Sequence, residues 1–279
     1  MNIRTPSSDF PLITFVGGGN MASAIIGGLL HEGHPASALQ VIEPWEEQRT
    51  RLSAQFPGVD LLAAASADMK PSDMVIWAVK PQTFREAALA TAAHVPGALH
   101  LSVAAGITTD SMTAWLGSGR IVRAMPNTPA LVGMGMTGLF ARDDAGDDDR
   151  ALVEQVVRTT GELAWVPVEH DLDAVTALSG SGPAYVFYFL EAMRDAGESM
   201  GLSPELALQL ATGTFIGAAT LAQRSDDPPQ ILRERVTSKG GTTHAAITTL
   251  QAAKVKESFE MALEAARRRA EELGREYGR

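Results

Sequence analysis

The chain has 279 residues, enough for about two domains. It carries 23 lysines and arginines against 33 aspartates and glutamates, a net charge of −10, and divided after residue 167 neither part has the basic footprint that nucleic acid selects. The absence of cysteine excludes thiol catalysis, Cys-ligated zinc and iron–sulfur clusters, and with no metal site and no run of about 18 apolar residues the expectation is a soluble cytoplasmic protein with no membrane partner.

Residues 1–10 are polar, lack the apolar core of a signal peptide, and read as a disordered lead-in. Residues 12–16 (LITFV) form a short apolar run ended by glycines, the pattern of a buried strand. Met21, Ala24, Ile25 and Leu29 then follow helical spacing until Gly33 stops the helix. A strand at 39–42 and a helix over 45–55 come next, then a strand at 74–79 ended by Lys80 and Pro81, and a helix over about 83–94. Residues 99–104 and 121–124 supply two further apolar strand segments. Strands alternating with helical stretches of this length predict βαβ units in a parallel sheet. The stretch DDAGDDDR (143–150) reads as a solvated acidic turn, and Met134, Met136 and Leu139 read as a core stripe.

Beyond about residue 168 the period changes. Val186, Phe187, Leu190 and Met193, then Leu206, Leu210 and Ile216, recur at three and four with no strand pattern between them. SDDPP (225–229) is a turn, in which Asp226 and Asp227 suit a helix cap or a partner contact, and 254–277 is a charged amphipathic helix. The predicted architecture is α/β over residues 1–167, a Rossmann-like, mostly parallel sheet domain. An all-α helical domain over 168–279 follows it.

Gly17-Gly18-Gly19-Asn20-Met21-Ala22 fits G-x-G-x-x-A between that first strand and first helix. Gly17 permits the tight turn, Gly19 lets backbone approach a pyrophosphate, and Ala22 lets helix and strand pack closely. The helix N-terminus then offers free N–H groups to phosphate oxygens. Glu43 ends the second strand, 24 residues after Gly19. A carboxylate there suits the ribose 2′-hydroxyl of NAD(H) and repels the 2′-phosphate of NADP(H), whereas the nearby Arg49 and Arg51 would blunt that repulsion. From the residues alone the choice of nicotinamide cofactor stays open.

Five further segments accompany the glycine loop: AVKPQ (78–82), SVAAGI (102–107), RAMPNTPALVGMGMT (123–137) and, in the helical part, LSGSGPAYVF (178–187) with VTSKGGTTHAAI (236–247). In order and spacing this set resembles the signature of pyrroline-5-carboxylate reductase, from about residue 12 to about 265. The resemblance implies a Rossmann-like domain and a helical dimerisation domain whose copies interleave, with many members building rings of dimers. It implies reduction of 1-pyrroline-5-carboxylate to proline by NADPH, or NADH, as the last step of proline biosynthesis. Val16, Gly17, Gly18, Gly19, Asn20, Met21, Ala78, Val79, Lys80 and Pro81 would line the cofactor. Val103, Ala104 and Ala105 would sit beside the nicotinamide, and Ser181, Gly240, Gly241, Thr242 and Thr243 would face the substrate. Two positions depart from relatives: Glu43, where Ser or Arg often greets the 2′-phosphate, and Ala65, near which some relatives place an Asn that touches the cofactor.

Read physically, Gly240, Gly241 and Thr242 present consecutive backbone N–H groups at a helix entry, a ready site for a small carboxylate. Thr242 and Thr243 suit helix capping as well as ligand binding. Thr243 is the candidate for a hydrogen bond to the ring nitrogen, orienting the imine or relaying a proton from water. Ser181 and Gly182 read equally as a helix start before Pro183 and as part of the substrate wall. Asn127, between two prolines, suits a bond to backbone or to the cofactor. His244 has no assigned role.

Two other function classes fit the glycine loop. A β-hydroxyacid dehydrogenase needs a lysine early in its second domain, and no lysine lies between Lys80 and Lys239. A non-catalytic dinucleotide-binding regulator would have no use for SGSGP and SKGGTT.

Overall fold

A computed structural model describes residues 10–278; the predicted lead-in, up to residue 9, lies outside the described residues. Internal contacts divide the chain into one unit of Met1–Ser181 with Ala266–Arg279, and a second of Gly182–Ala265.

The first unit is built on one eight-stranded sheet. In chain order its elements are β1 (Ile13–Val16), α1 (Asn20–His31), β2 (Leu39–Ile42), α2 (Glu46–Gln55), β3 (Asp60–Leu62), β4 (Met74–Trp77) and α3 (Pro81–Thr91). There follow β5 (Leu99–Ser102), α4 (Thr109–Leu116), β6 (Ile121–Met125), β7 (Gly135–Ala141), α5 (Asp147–Arg158), β8 (Gly161–Trp165) and α6 (Asp171–Val175). The strand order is β3-β2-β1-β4-β5-β6-β7-β8, and every pairing is parallel except β6 with β7. β1, β2, β4 and β5 are buried along their whole length, as strands must be when helices cover both faces.

Alternation along each strand sorts the core into two layers. Ile13, Phe15, Leu39, Val41, Met74 and Ile76 pack with Ala22, Ile25, Ile26 and Leu29 of α1. Val75 and Trp77 face the other way, with Phe84 and Ala88 of α3 and Met112 of α4. Polar Thr14 and Gln40 interrupt the second layer without orphaning a group. Gln40 Nε2 donates to Thr14 Oγ1 at 2.7 Å and to Lys70 O at 2.9 Å, and the Thr14 and Ser72 hydroxyls share a hydrogen bond of 2.5 Å.

His100 on β5 accepts a hydrogen bond from Trp77 Nε1 at 3.3 Å. Burial, reinforced by the positive charge of Arg120, pushes its pKa down to about 4. The unfolded chain takes up this proton near pH 6.5 and the folded one only near 4, so the stabilisation is complete above 6.5 and is lost as pH falls toward 4. About 3 kcal/mol is at stake. Denaturant unfolding of His100→Asn is expected to show a shallower loss of stability between pH 6.5 and 4 than the parent. An equal slope would assign that loss to carboxylates instead.

The acidic stretch is not a solvated turn throughout. Asp147, Asp148 and Asp149 form the first turn of α5, where carboxylates favour the positive end of the helix dipole. Asp149 is buried and takes Arg120 in a two-pronged ion pair, at 2.9 Å from Nε and 2.5 Å from Nη2. The methionine stripe is also corrected: Leu139 is fully buried, but Met134 is 75% exposed and Met136 is 38% exposed. Both methionines lie where the chain enters β7.

The second unit holds α7 (Gly182–Ser199), α8 (Pro204–Gln223), α9 (Pro229–Arg235), α10 (Thr242–Ala252) and the start of α11 (Val255–Tyr277). The last turns of α11 belong to the first unit: Gln82 Nε2 donates to Tyr277 Oη at 3.2 Å, and Ser111 Oγ donates to Gly278 O at 2.5 Å. Ser203 caps α8 through the Leu206 N–H, with Pro204 in its first turn. α8 is long and apolar enough to cross a membrane by length and composition alone. Gln209, Thr212, Thr214 and Thr220 break up its apolar run, so the pattern escapes a search for uninterrupted stretches.

Candidate active site

The first site grows from the sheet topology. From β1 the chain winds outward through β2 and β3, then returns to the other side of β1 with β4, so β1 and β4 flank the point where the winding reverses. Crevices outside the carboxyl ends of strands at such a point are where open α/β sheets bind ligands. Three segments separated in sequence meet there. Gly17 N donates to Ile42 O at 2.8 Å, Ala78 N to Val16 O at 2.8 Å, and Val103 N to Trp77 O at 3.1 Å. Val16 to Met21, Glu43, Ala78 to Pro81 and Val103 to Ala105 therefore share one edge of the sheet, and Asn127 follows the carboxyl end of β6 on the same edge.

Each glycine of the loop does something different. Gly17 has φ of +93°, and a Cβ there would lie 2.7 Å from Ala78 O, so only glycine fits. Gly19 has ordinary dihedrals and caps α1, with no side chain satisfying the first N–H groups of the helix. A Cβ on Gly19 would meet nothing within 4 Å. Open space beside uncapped helix N–H groups fits the pyrophosphate of a dinucleotide. Ala22 is fully buried, as close packing of α1 on the sheet requires.

Glu43 stands at the end of β2. Its Oε2 accepts the Gly18 N–H at 2.9 Å and its Oε1 the Trp45 N–H at 2.9 Å. Gln48 Nε2 closes the loop from the other side by donating to Gly18 O at 2.7 Å. Gln48 was not singled out from the sequence, and nothing in its spacing signals it. Lys80 is exposed and precedes α3, with Pro81 in the first turn of that helix.

The LSGSGP segment departs from the expected helix start. α6 runs into a π-helical turn at Thr176–Gly180, and Ser181 (φ −84°, ψ −14°) is helical rather than an extended cap, its N–H donating to Thr176 O at 2.8 Å. Pro183 supplies the reason: it has no N–H for Ser179 O, and its ring crowds that carbonyl in a regular helix. Ser179 O instead accepts Asn127 Nδ2 at 3.1 Å, while Asn127 Oδ1 accepts the Met136 N–H at 3.0 Å. Asn127 thus ties the segment after β6 to the π-turn. Single π-turns of this kind concentrate at functional sites.

The second cluster lies within the second unit. Gly240 takes φ of +78°, Gly241 N closes a turn onto Ser238 O at 3.0 Å, and α10 begins at Thr242. Gly241 occupies the cap position, and no side chain caps the helix. Thr242 and Thr243 are therefore inside the first turn, which removes the capping reading. Thr243 is half-buried; Thr242, Lys239 and His244 are exposed. Free N–H groups beside two hydroxyls suit a small molecule that carries a carboxylate and a hydrogen-bonding nitrogen.

Comparison with known proteins identifies the relatives of this chain. A family model for pyrroline-5-carboxylate reductase dimerisation matches residues 169–273, and one for NADP oxidoreductase, coenzyme F420-dependent, matches residues 12–106. A pyrroline-5-carboxylate reductase of Pseudomonas aeruginosa is 43% identical over 270 residues, covering 96% of this chain and 98% of its own. The structure of a pyrroline-5-carboxylate reductase from Coxiella burnetii superposes with a TM-score of 0.88 at 38% identity, covering 95% of this chain and 99% of the other. A Plasmodium falciparum pyrroline carboxylate reductase with NADP bound gives a TM-score of 0.84 at 28% identity, over 95% and 98%.

Proposed function

The chain belongs to the pyrroline-5-carboxylate reductase family, and from that membership we propose which of its residues carry each part of the reaction. The activity is reduction of 1-pyrroline-5-carboxylate to L-proline, the last step of proline biosynthesis. NADP(H) serves as cofactor and NAD(H) is accepted. The observation that carries the assignment of residues is the gathering of three distant motifs at the switch point of the sheet.

In this reading the N–H groups of Gly19, Asn20 and Met21 hold the pyrophosphate. Val16, Gly17, Gly18, Glu43 and Ala78 to Pro81 line the dinucleotide, and Val103 to Ala105 flank the nicotinamide, with Asn127 bordering the same edge. Once bound, the reduced nicotinamide supplies a hydride for the imine carbon. At the entry to α10, the amides of Gly240 and Thr242 balance the carboxylate of the ring beside Gly241, whose own N–H is taken by Ser238 O, and Ser181 with Gly182 forms part of its wall. Thr243 orients the ring nitrogen. A substrate that enters as the iminium already carries the proton that the product amine keeps, so a hydroxyl suffices where a strong acid is absent.

The cofactor part spans residues 1–167 and the substrate and dimerisation part 168–279. Large apolar side chains on α7 and α8, among them Phe187, Tyr188, Leu210 and Ile216, are exposed in the single chain. Large apolar side chains left exposed in such number mark an interface, and the chain pairs through these helices as a homodimer, in keeping with the matched dimerisation family. The same covering accounts for α8 without a membrane. We place the dimer in the cytoplasm, building into rings of dimers, with no nucleic-acid partner.

Oxidation of NADPH or NADH, followed by nicotinamide absorbance, is expected on adding 1-pyrroline-5-carboxylate, and no reduction of NAD(P)+ is expected on adding a β-hydroxyacid. Cofactor binding with no oxidation in the presence of the imine would mark a regulator rather than a reductase.

A further inference from the structure

We propose that Glu43 makes this reductase discriminate against the 2′-phosphate, so that it binds NADH more tightly than NADPH. The inference rests on the dinucleotide site described above and concerns which of two accepted cofactors that site favours. Three features of the structure bear on it.

The first is that the Glu43 carboxylate is fixed. Both its oxygens are held by backbone amides, Oε2 by Gly18 within the glycine loop and Oε1 by Trp45 just past β2. A Cβ built on Gly18 would lie 3.5 Å from Glu43 Oε2, which puts the carboxylate directly against the loop. An anion anchored at both oxygens cannot swing aside for another anion without giving up the part-buried bond from the Gly18 N–H.

The second is position. A carboxylate at the end of the second strand of a dinucleotide fold accepts from the ribose 2′-hydroxyl, whereas an NADP site places an arginine nearby for the 2′-phosphate. The half-buried Glu43 occupies that place.

The third is that the neighbouring cations are committed elsewhere. Arg49 Nη1 donates to the Glu43 and Pro44 carbonyl oxygens, at 2.8 and 2.7 Å. Arg51 pairs with Glu47 at 2.7 Å, and its guanidinium lies 5.9 Å from the centre of the Trp45 ring. Neither is paired with the Glu43 carboxylate, so its charge stays unneutralised, and the charge of Arg51 is already answered by Glu47. Of the two arginines that could blunt the repulsion, Arg51 is thus engaged with a carboxylate and Arg49 with backbone carbonyls alone. What a 2′-phosphate meets first is a fixed negative charge; what a 2′-hydroxyl meets is a hydrogen-bond acceptor.

The test is a fluorescence titration of the full-length protein with NADH and with NADPH, without imine, so that binding is read apart from turnover. The parent is expected to bind NADH about tenfold or more tightly than NADPH, the scale of one unit charge repelling another near a protein surface. Glu43→Gln keeps an oxygen for the Gly18 N–H and removes the charge. It is expected to gain about tenfold in NADPH affinity while changing NADH affinity far less. Equal or tighter binding of NADPH by the parent would overturn the proposal. An unchanged NADH-to-NADPH ratio in Glu43→Gln, with a melting temperature like the parent's, would overturn the role of Glu43. Binding of neither cofactor would overturn the dinucleotide site itself, and the proposal with it.

Discussion

Gly19→Val is expected to fold and melt like the parent and to lose cofactor affinity by about 100-fold or more. The two halves of that expectation have separate causes. Gly19 has φ of −76° and ψ of −169°, extended backbone open to any residue, and a Cβ there meets nothing within 4 Å. A valine therefore costs the fold little. The space it fills is the approach to the uncapped N–H groups of α1, where phosphate oxygens must come within hydrogen-bond distance. Gly17→Val supplies the contrast. With φ of +93° and Ala78 O only 2.7 Å from the new Cβ, it is expected to lose stability as well as cofactor. Thermal melting and an NADPH titration on both variants separate the two effects. A Gly19→Val protein that binds NADPH like the parent would remove the glycine loop from the site.

Thr243→Ala is expected to lower kcat by about 100-fold while leaving NADPH affinity unchanged. Thr243 lies in the first turn of α10 but makes no capping hydrogen bond, because Gly241 holds the cap position. Alanine is also the better helix former, so α10 is expected to persist. What is lost is the hydroxyl that orients the ring nitrogen, an interaction felt in turnover and not in cofactor binding. Thr243→Ser keeps that hydroxyl and is expected to recover most of the rate. If both variants turned over like the parent, Thr243 would have no part in the reaction. If both failed equally, the methyl group and its packing would matter rather than the oxygen.

How much of this was legible beforehand depended on whether the signal was local. The strands at 39–42 and 74–77 announced themselves because buried parallel strands are short, continuous apolar runs. The glycine loop was legible because each of its positions answers a backbone requirement. β3 escaped notice because it has three residues, and β7 because Gly135 and Gly138 dilute its pattern in the one antiparallel pairing. The acidic stretch misled because Asp149 finds its counterion, Arg120, 29 residues earlier, a pairing that only the folded sheet creates.

The site divides the same way. SKGGTT was readable as a helix entry offering amides, and the structure adds that the threonines do not cap it. The link from Asn127 to Ser179 crosses 52 residues, and the π-turn it secures follows from Pro183 only once the surrounding segment is known to be helical. Gln48 and the backbone commitments of Arg49 were likewise invisible, since both depend on how α2 leaves β2. Those commitments matter most for the cofactor choice, which composition and motif left undecided.

The central claim is that a hydride passes from reduced nicotinamide to the imine carbon of a five-membered ring acid. Its most direct test uses cofactor deuterated on the transferring face of nicotinamide C4, incubated with 1-pyrroline-5-carboxylate and the full-length enzyme, with the product examined by NMR. The expected product is L-proline carrying one deuterium on the ring carbon that had been doubly bonded to nitrogen. Proline free of deuterium there, or oxidised cofactor with no proline formed, would contradict it.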